Sequence, residues 1–401
     1  MISLATINID YLLFFIFIVI MIVFLLKNKS QLTIQKLIPN IIEMVMYRTS
    51  WGLKLMDSWA KRWGQIIQYV SLVSIGVAVI GMVYVTVLIV QITIKFLLAP
   101  ATTETGVSLV LPGMTIPGLG KLSFFHWLLA LTILIVVHEF GHGVVARAHK
   151  VKIKYSGFAF LSLFKIPIIP AAFVEPDEIQ LKKENDIVQN SIFAAGPIAN
   201  FILTIVILLL LNYAFYPLQS TMTSNAGVTF ENINETLPAA IAGLTSGMII
   251  TGIDDSTINT YDDLTTALQT KTPGQEIVIH TDQGNYPLVL AANPADTTKP
   301  YLGITQIKQP PKKGLETLYA VYEWFLGLCY WTWMLSFLIG IMNLLPIFIT
   351  DGGRIVHTSM KKILGDEKKA LKASVYINGL ITICFLVLII GSLIKWVGKF
   401  G

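Results

Sequence analysis

The sequence predicts a polytopic α-helical membrane protein of about six transmembrane helices, with one small α+β insert and a membrane-associated β-hairpin. Three observations predict it. Of 401 residues, 54% are hydrophobic and 13% charged, where a soluble domain carries about 25% charged residues. Mean hydropathy is +0.68. Six apolar stretches, residues 11–26, 66–92, 124–145, 192–213, 318–345 and 375–394, are long enough to cross a hydrocarbon layer of about 30 Å. The net charge of +5 is modest, and no feature points to nucleic acid as a partner. The environment the chain calls for is a lipid bilayer.

Residues 11–26 read as a retained span, because no basic residue precedes them and Lys27 follows. Basic residues crowd the loops after spans 1, 3 and 5, whereas residues 99–120 contain none. By the bias of basic residues toward the cytoplasm, those odd-numbered loops are expected inside. Both termini and the long segment 217–311 are then expected outside. Span 3 runs inward, so its C-terminal end lies toward the cytoplasm, at the same depth as the end of span 5. The organisation expected is residues 1–100, two helices and a cytoplasmic loop; 101–217, the first half of a core; 218–310, the insert; and 311–401, the second half and a last span.

Within residues 155–176, Pro167, Pro170 and Gly157 rule out a regular spanning helix, and alternating Phe, Val and Ile suggest short strands. Either a hairpin dips into the membrane face or an amphipathic loop lies on the surface. In the insert, turn signals at Asp254-Asp255, Pro273-Gly274 and Gln283-Gly284-Asn285 separate strand-like residues 248–253 and 276–280 from a short helix at 261–269. Asn234-Glu235-Thr236 is a formal glycosylation sequon. Cys329 and Cys384 lie in apolar runs without metal-ligand spacing and read as small buried hydrophobes.

The chemistry concentrates at His138-Glu139-Phe140-Gly141-His142, at the end of span 3. Histidines at i and i+4 share a helix face, so both imidazoles can reach one ion. Glu139 lies about 100° round the turn, within reach of a water on that ion. H-E-x-x-H on a helix is a zinc-peptidase signature. A catalytic zinc usually takes three protein ligands and leaves one position for water. Asp351, after span 5, is the only carboxylate near the matching depth, and Pro346 with Gly352-Gly353 lets the chain turn inward there. The bland alternative makes Asp351 an ordinary residue of a helix-end loop.

Three motifs then occur in order: HEFGH on span 3, Ala195-Gly196-Pro197-Ile198-Ala199-Asn200 on span 4, and Asn343-x-x-Pro346 with Asp351-Gly352-Gly353 after span 5. Together they resemble the site-2 protease family of intramembrane metalloproteases. The resemblance covers residues 124–213 and 318–353. It implies one Zn2+ per chain on His138, His142 and Asp351, with Glu139 as general base and acid. It also implies that Asn343 holds the substrate backbone or oxyanion, and that Gly196, Pro197 and Asn200 support the site or touch substrate rather than only pack. Thr350 before Asp351 departs from the family's usual leucine. The substrates implied are single-span regulatory membrane proteins, cut within or near their helices.

The insert is similar to the PDZ domains of bacterial-type proteases, through residues 238–250 and Pro300-Tyr301-Leu302-Gly303-Ile304, with permuted strand order. Such a domain binds an extended peptide or a C-terminus by strand addition, or serves only as a structural cap. The competing reading of the whole chain is a catalytically silent membrane scaffold or chaperone that holds partners through this domain. A transporter is disfavoured, since few other intramembrane charges exist to build a pathway.

Overall fold

The computed structural model describes residues 9–38, 41–107, 110–116, 120–164, 166–233, 236–294 and 296–398. Asn234 and Glu235 of the sequon lie outside the described residues. The chain divides into two compact units: Leu210–Leu326, and the sequence on either side of it.

In the larger unit, α1 (Ile9–Lys27) is followed by β1 (Leu32–Ile38), β2 (Ile42–Thr49) and α2 (Leu53–Leu98). At 46 residues, α2 is about 69 Å long, more than twice the hydrocarbon thickness, and it kinks at Trp63. Short strands β3 (Thr115–Ile116) and β4 (Gly120–Lys121) precede α3 (Phe124–Ala148). Asp10 of α1 is buried and accepts the Phe124 N–H at 2.8 Å, so one span caps the orphan N-terminus of another.

The hairpin reading of residues 155–176 holds, as β5 (Ile153–Leu163) and β6 (Ile166–Pro176). Its surroundings correct the sequence reading. Residues 27–62, read as a cytoplasmic loop, contain the hairpin β1–β2, and the four strands form one antiparallel sheet in the order β1-β2-β5-β6. The alternation in Leu32-Thr33-Ile34-Gln35 carries that strand signal; the basic residues obscured it. Phe164 and Ile166 stand exposed at the β5–β6 turn.

Next come α4 (Glu178–Lys183) and α5 (Asp186–Leu210). After the insert follow α9 (Glu316–Leu344), α10 (Asp351–Leu364) and α11 (Glu367–Gly398). Among the described residues six helices are long and apolar enough to cross a membrane, and the protein is a multi-pass integral membrane protein. Their exposed faces carry residues such as Val73 and Ile80, apolar surface that lipid rather than water would cover. The core of this unit gathers Ala78 and Val85 from α2, Ala146 from α3, Ile192 and Ala195 from α5 and Leu344 from α9.

The smaller unit begins with a π turn at Leu211–Phe215 and α6 (Tyr216–Met222). It then forms β7 (Val228–Ile233), α7 (Pro238–Ile241), β8 (Ile249–Ile253), β9 (Ser256–Thr257) and α8 (Tyr261–Gln269). The remaining strands are β10 (Glu276–Thr281), β11 (Gly284–Val289), β12 (Ala291–Asn293), β13 (Asp296–Tyr301) and β14 (Ile304–Lys308). The main sheet has the order β11-β10-β8-β7-β14, with β9 beside β8 and β14 at one edge. Thr260 and Asp263 close a capping box at the start of α8. Phe230, Ile250, Ile253, Leu264 and Ile279 fill the core. The insert is a PDZ-like domain whose last strand in sequence lies at an edge.

Candidate metal centre

The site is assembled from four segments, and small residues decide how closely they meet. On α3, Gly141 faces α5: a Cβ there would fall 2.8 Å from the Ala195 carbonyl oxygen and from the Ala199 Cβ. On α5, a Cβ at Gly196 would lie 2.3 Å from Nε2 of His142 and 2.6 Å from Nε2 of His138. Gly196 therefore leaves the volume that the two imidazoles occupy. After α9, a Cβ at Gly352 would meet the Leu344 carbonyl oxygen at 2.2 Å, and one at Gly353 the Ile347 carbonyl oxygen at 2.1 Å. The chain folds back on the end of α9 so tightly that only glycine fits, and the fold-back delivers Asp351.

Thr350 holds that turn. It is the N-cap of α10, accepting the Gly353 N–H at 3.4 Å and the Ile347 N–H at 3.3 Å, while its hydroxyl donates to the Leu345 carbonyl. A leucine could do none of this, which gives the departure from the family's usual residue a local purpose.

His138, His142 and Asp351 come together with their ligand atoms all within 4.8 Å of one another. Nε2 of His138 is 3.2 Å from Nε2 of His142 and 3.2 Å from Oδ2 of Asp351, and His142 Nε2 to Asp351 Oδ2 is 3.3 Å. Two ligands about 2.05 Å from one tetrahedral ion stand about 3.3 Å apart. The spacing fits a single zinc-sized ion with three ligands.

The protonation pattern points the same way. Nδ1 of His142 is 2.6 Å from the Ile192 carbonyl oxygen, which only accepts, so Nδ1 carries the hydrogen. In the neutral ring Nε2 is then a lone pair directed at the other two ligand atoms. Converging acceptors repel one another unless a cation lies among them. His138 is oriented by Asn200, which is fully buried, with amide to His138 Nδ1 at 3.3 Å. The Asn200 Oδ1 is buried without a partner among the described residues. Turning the amide over lets Oδ1 accept from Nδ1–H, satisfies both groups and frees His138 Nε2 for a metal.

Glu139 follows His138 directly and lies about 100° round α3 from it. Its Oε2 accepts the Val174 N–H at 2.9 Å, so edge strand β6 holds the carboxylate. Asn343 is half-buried at the end of α9, with Nδ2 donating to the Ile339 carbonyl at 3.0 Å. Pro197 lies inside α5, and Gly340 of α9 packs against its carbonyl and against Phe201. Sequence reasoning missed Thr350 as a cap, the Val174 N–H and Ile192 carbonyl as orienting groups; backbone partners leave no signature in residue identity.

Membrane-length helices that converge on two histidines and a carboxylate, beside a held glutamate, define a polytopic membrane protein with a metallopeptidase-type centre. A family profile, peptidase family M50, matches residues 126–388, and the chain belongs to that family. It is 28% identical over 358 residues to the uncharacterized protein MJ0971 of Methanocaldococcus jannaschii, covering 86% of this chain and 88% of that protein. Among solved structures it is similar to the PDZ domains of the SdrC-like proteins of Listeria monocytogenes and Listeria innocua. Each is 25% identical over 20% of this chain, covers 86% and 91% of the respective domain, and has a TM-score of 0.18.

Proposed function

We propose that the protein is a zinc-dependent intramembrane endopeptidase that hydrolyses peptide bonds within or near the transmembrane helices of single-span regulatory proteins, as in regulated intramembrane proteolysis. The observation that carries this reading is the convergence of the His138, His142 and Asp351 ligand atoms beside Glu139, inside a helical bundle of membrane-spanning length.

His138, His142 and Asp351 would hold one Zn2+, which when bound supplies Lewis acidity toward water and a scissile carbonyl. Glu139 takes the proton of the attacking water and returns it to the leaving amine. The Val174 N–H keeps its carboxylate aimed while it does so. Among the described residues one N–H of the Asn343 amide remains uncommitted after the bond to Ile339, and in this reading it serves the carbonyl oxygen as charge develops. Gly196 keeps α5 close and side-chain-free beside the two imidazoles, Pro197 supports the site through the packing of α5 on Gly340 of α9, and Asn200 orients His138. A peptide bond in an intact helix is shielded by its own hydrogen bonds, so the substrate must unwind locally, which favours helix-weakening residues at the cut.

The distribution of lysine and arginine supports an active site toward the cytoplasmic side, with the PDZ-like domain and both termini outside. In that domain the free edge of β14 is suited to adding an extended peptide or C-terminus as another strand. The test is cleavage of a purified single-span substrate in detergent. Chelation abolishes cleavage and stoichiometric Zn2+ restores it under this reading; cleavage that persists after complete metal removal sinks it.

A further inference from the structure

We propose that a cavity beside α10 binds a phosphate group, as carried by an anionic phospholipid headgroup or by free phosphate. The cavity encloses about 600 Å³ among α4, α5, α10 and α11, and includes none of His138, Glu139, His142 and Asp351.

Its charge pattern argues for an anion. Arg354, His357 and Lys361 line it at i, i+3 and i+7, along one face of α10, and Lys182 faces them from α4. Two carboxylates share the wall. Glu367 is engaged by Lys361 at 2.5 Å and lies 3.7 Å from His357; Glu178 belongs to α4. Against these two stand three permanent cations, Lys182, Arg354 and Lys361. Neither Arg354 nor Lys182 has a carboxylate at ion-pair distance among the described residues. Lys362, next along α10, does: it pairs with Asp186 at 2.9 Å and does not line the cavity.

Arg354 is also pre-positioned. Its guanidinium lies 5.6 Å from the centroid of the Phe193 ring, a contact that fixes the plane while leaving the N–H fork to match phosphate oxygens. Beside these charges, and among polar lining residues that include Gln189 and Ser374, the cavity has an apolar side: Phe348, before α10, and Leu371 and Val375 of α11 line it and are 55%, 55% and 46% exposed. A cationic floor with an apolar lip, between helices of a membrane protein, is the form of a lipid headgroup site. Because α10 opens with Asp351, a ligand on Arg354 acts on the helix that positions that carboxylate.

The test uses the full chain in detergent, with dioctanoyl phosphatidylglycerol, dioctanoyl phosphatidylcholine and inorganic phosphate as probes, read by native mass spectrometry and titration calorimetry. Wild type is expected to bind one phosphatidylglycerol at least tenfold more tightly than phosphatidylcholine. The double variant Lys182→Gln/Arg354→Gln, at two exposed positions, should lose at least tenfold, and Lys362→Gln should behave as wild type. Displacement by millimolar inorganic phosphate assigns the site to free phosphate; resistance to it assigns the lipid. Equal binding of the two lipids, or binding by the double variant equal to wild type at matched thermal stability, overturns the proposal.

Discussion

The α-carbon of Gly196 faces Nε2 of His142 so closely that a Cβ would sit 2.3 Å from it. A nitrogen at that distance cannot be accommodated by a shift of a few tenths of an ångström. Gly196→Ala should therefore displace one or both imidazoles. Zinc content, measured by mass spectrometry of the purified protein, is expected to fall well below one per chain. An alanine variant with full zinc and full activity would show that the glycine serves only helix packing.

Asn200 touches His138 rather than the point where the three proposed ligand atoms converge, so its loss should weaken metal binding without abolishing it. Partners of this kind are worth about 10–100-fold in metal affinity. Asn200→Leu keeps the volume and removes the acceptor for His138 Nδ1–H. Zinc competition against a chelator should report a loss in that range, and Asn200→Asp should recover part of it.

Thr350 latches the turn that presents Asp351 through the contacts of one hydroxyl with the backbone of Leu345, Ile347 and Gly353. Thr350→Val removes the cap at nearly constant volume and should cost about 1 kcal/mol of stability. Thr350→Ser keeps the hydroxyl and should stay near wild type. Thermal unfolding in detergent distinguishes the two; equal loss in both would trace the effect to the methyl group instead.

In the PDZ-like domain, the Asp254 carboxyl is held below the usual carboxylate range, first by the hydrogen bond from Lys271 and then by the Val278 N–H at 2.8 Å. A folded-state value below the unfolded one means that the stabilisation is fully present above the ordinary carboxylate range. It is lost as pH falls through the lowered value. Asp254→Asn should cost about 1 kcal/mol near neutral pH, with the difference from wild type shrinking in acid. A difference that stays constant down to strongly acid pH would contradict the assignment.

The parts legible in the sequence are those that follow from local pattern. Length and hydropathy mark the six spans, because lipid demands about 20 apolar residues in a row. Prolines and alternation mark β5–β6, and turn signals on either side mark off α8. Spacing marks His138 and His142 as one face. What stayed hidden depends on distant pairing. The joining of β1–β2 to β5–β6 into one sheet, the capping of α3 by Asp10 across 114 residues, and the contact between Asn200 and His138 across 62 are set by tertiary packing. Thr350 read as a departure from pattern because its role lies in a turn, where one hydroxyl replaces several backbone partners.

Glu139 is the proposed proton-transfer group beside the triad of His138, His142 and Asp351. The direct measurement is cleavage of a single-span substrate by wild type and Glu139→Gln, with zinc content determined on the same preparations. About one zinc per chain is expected in both, with a rate in the variant lower by at least about 100-fold. Cleavage by the variant at the wild-type rate with equal zinc would contradict it.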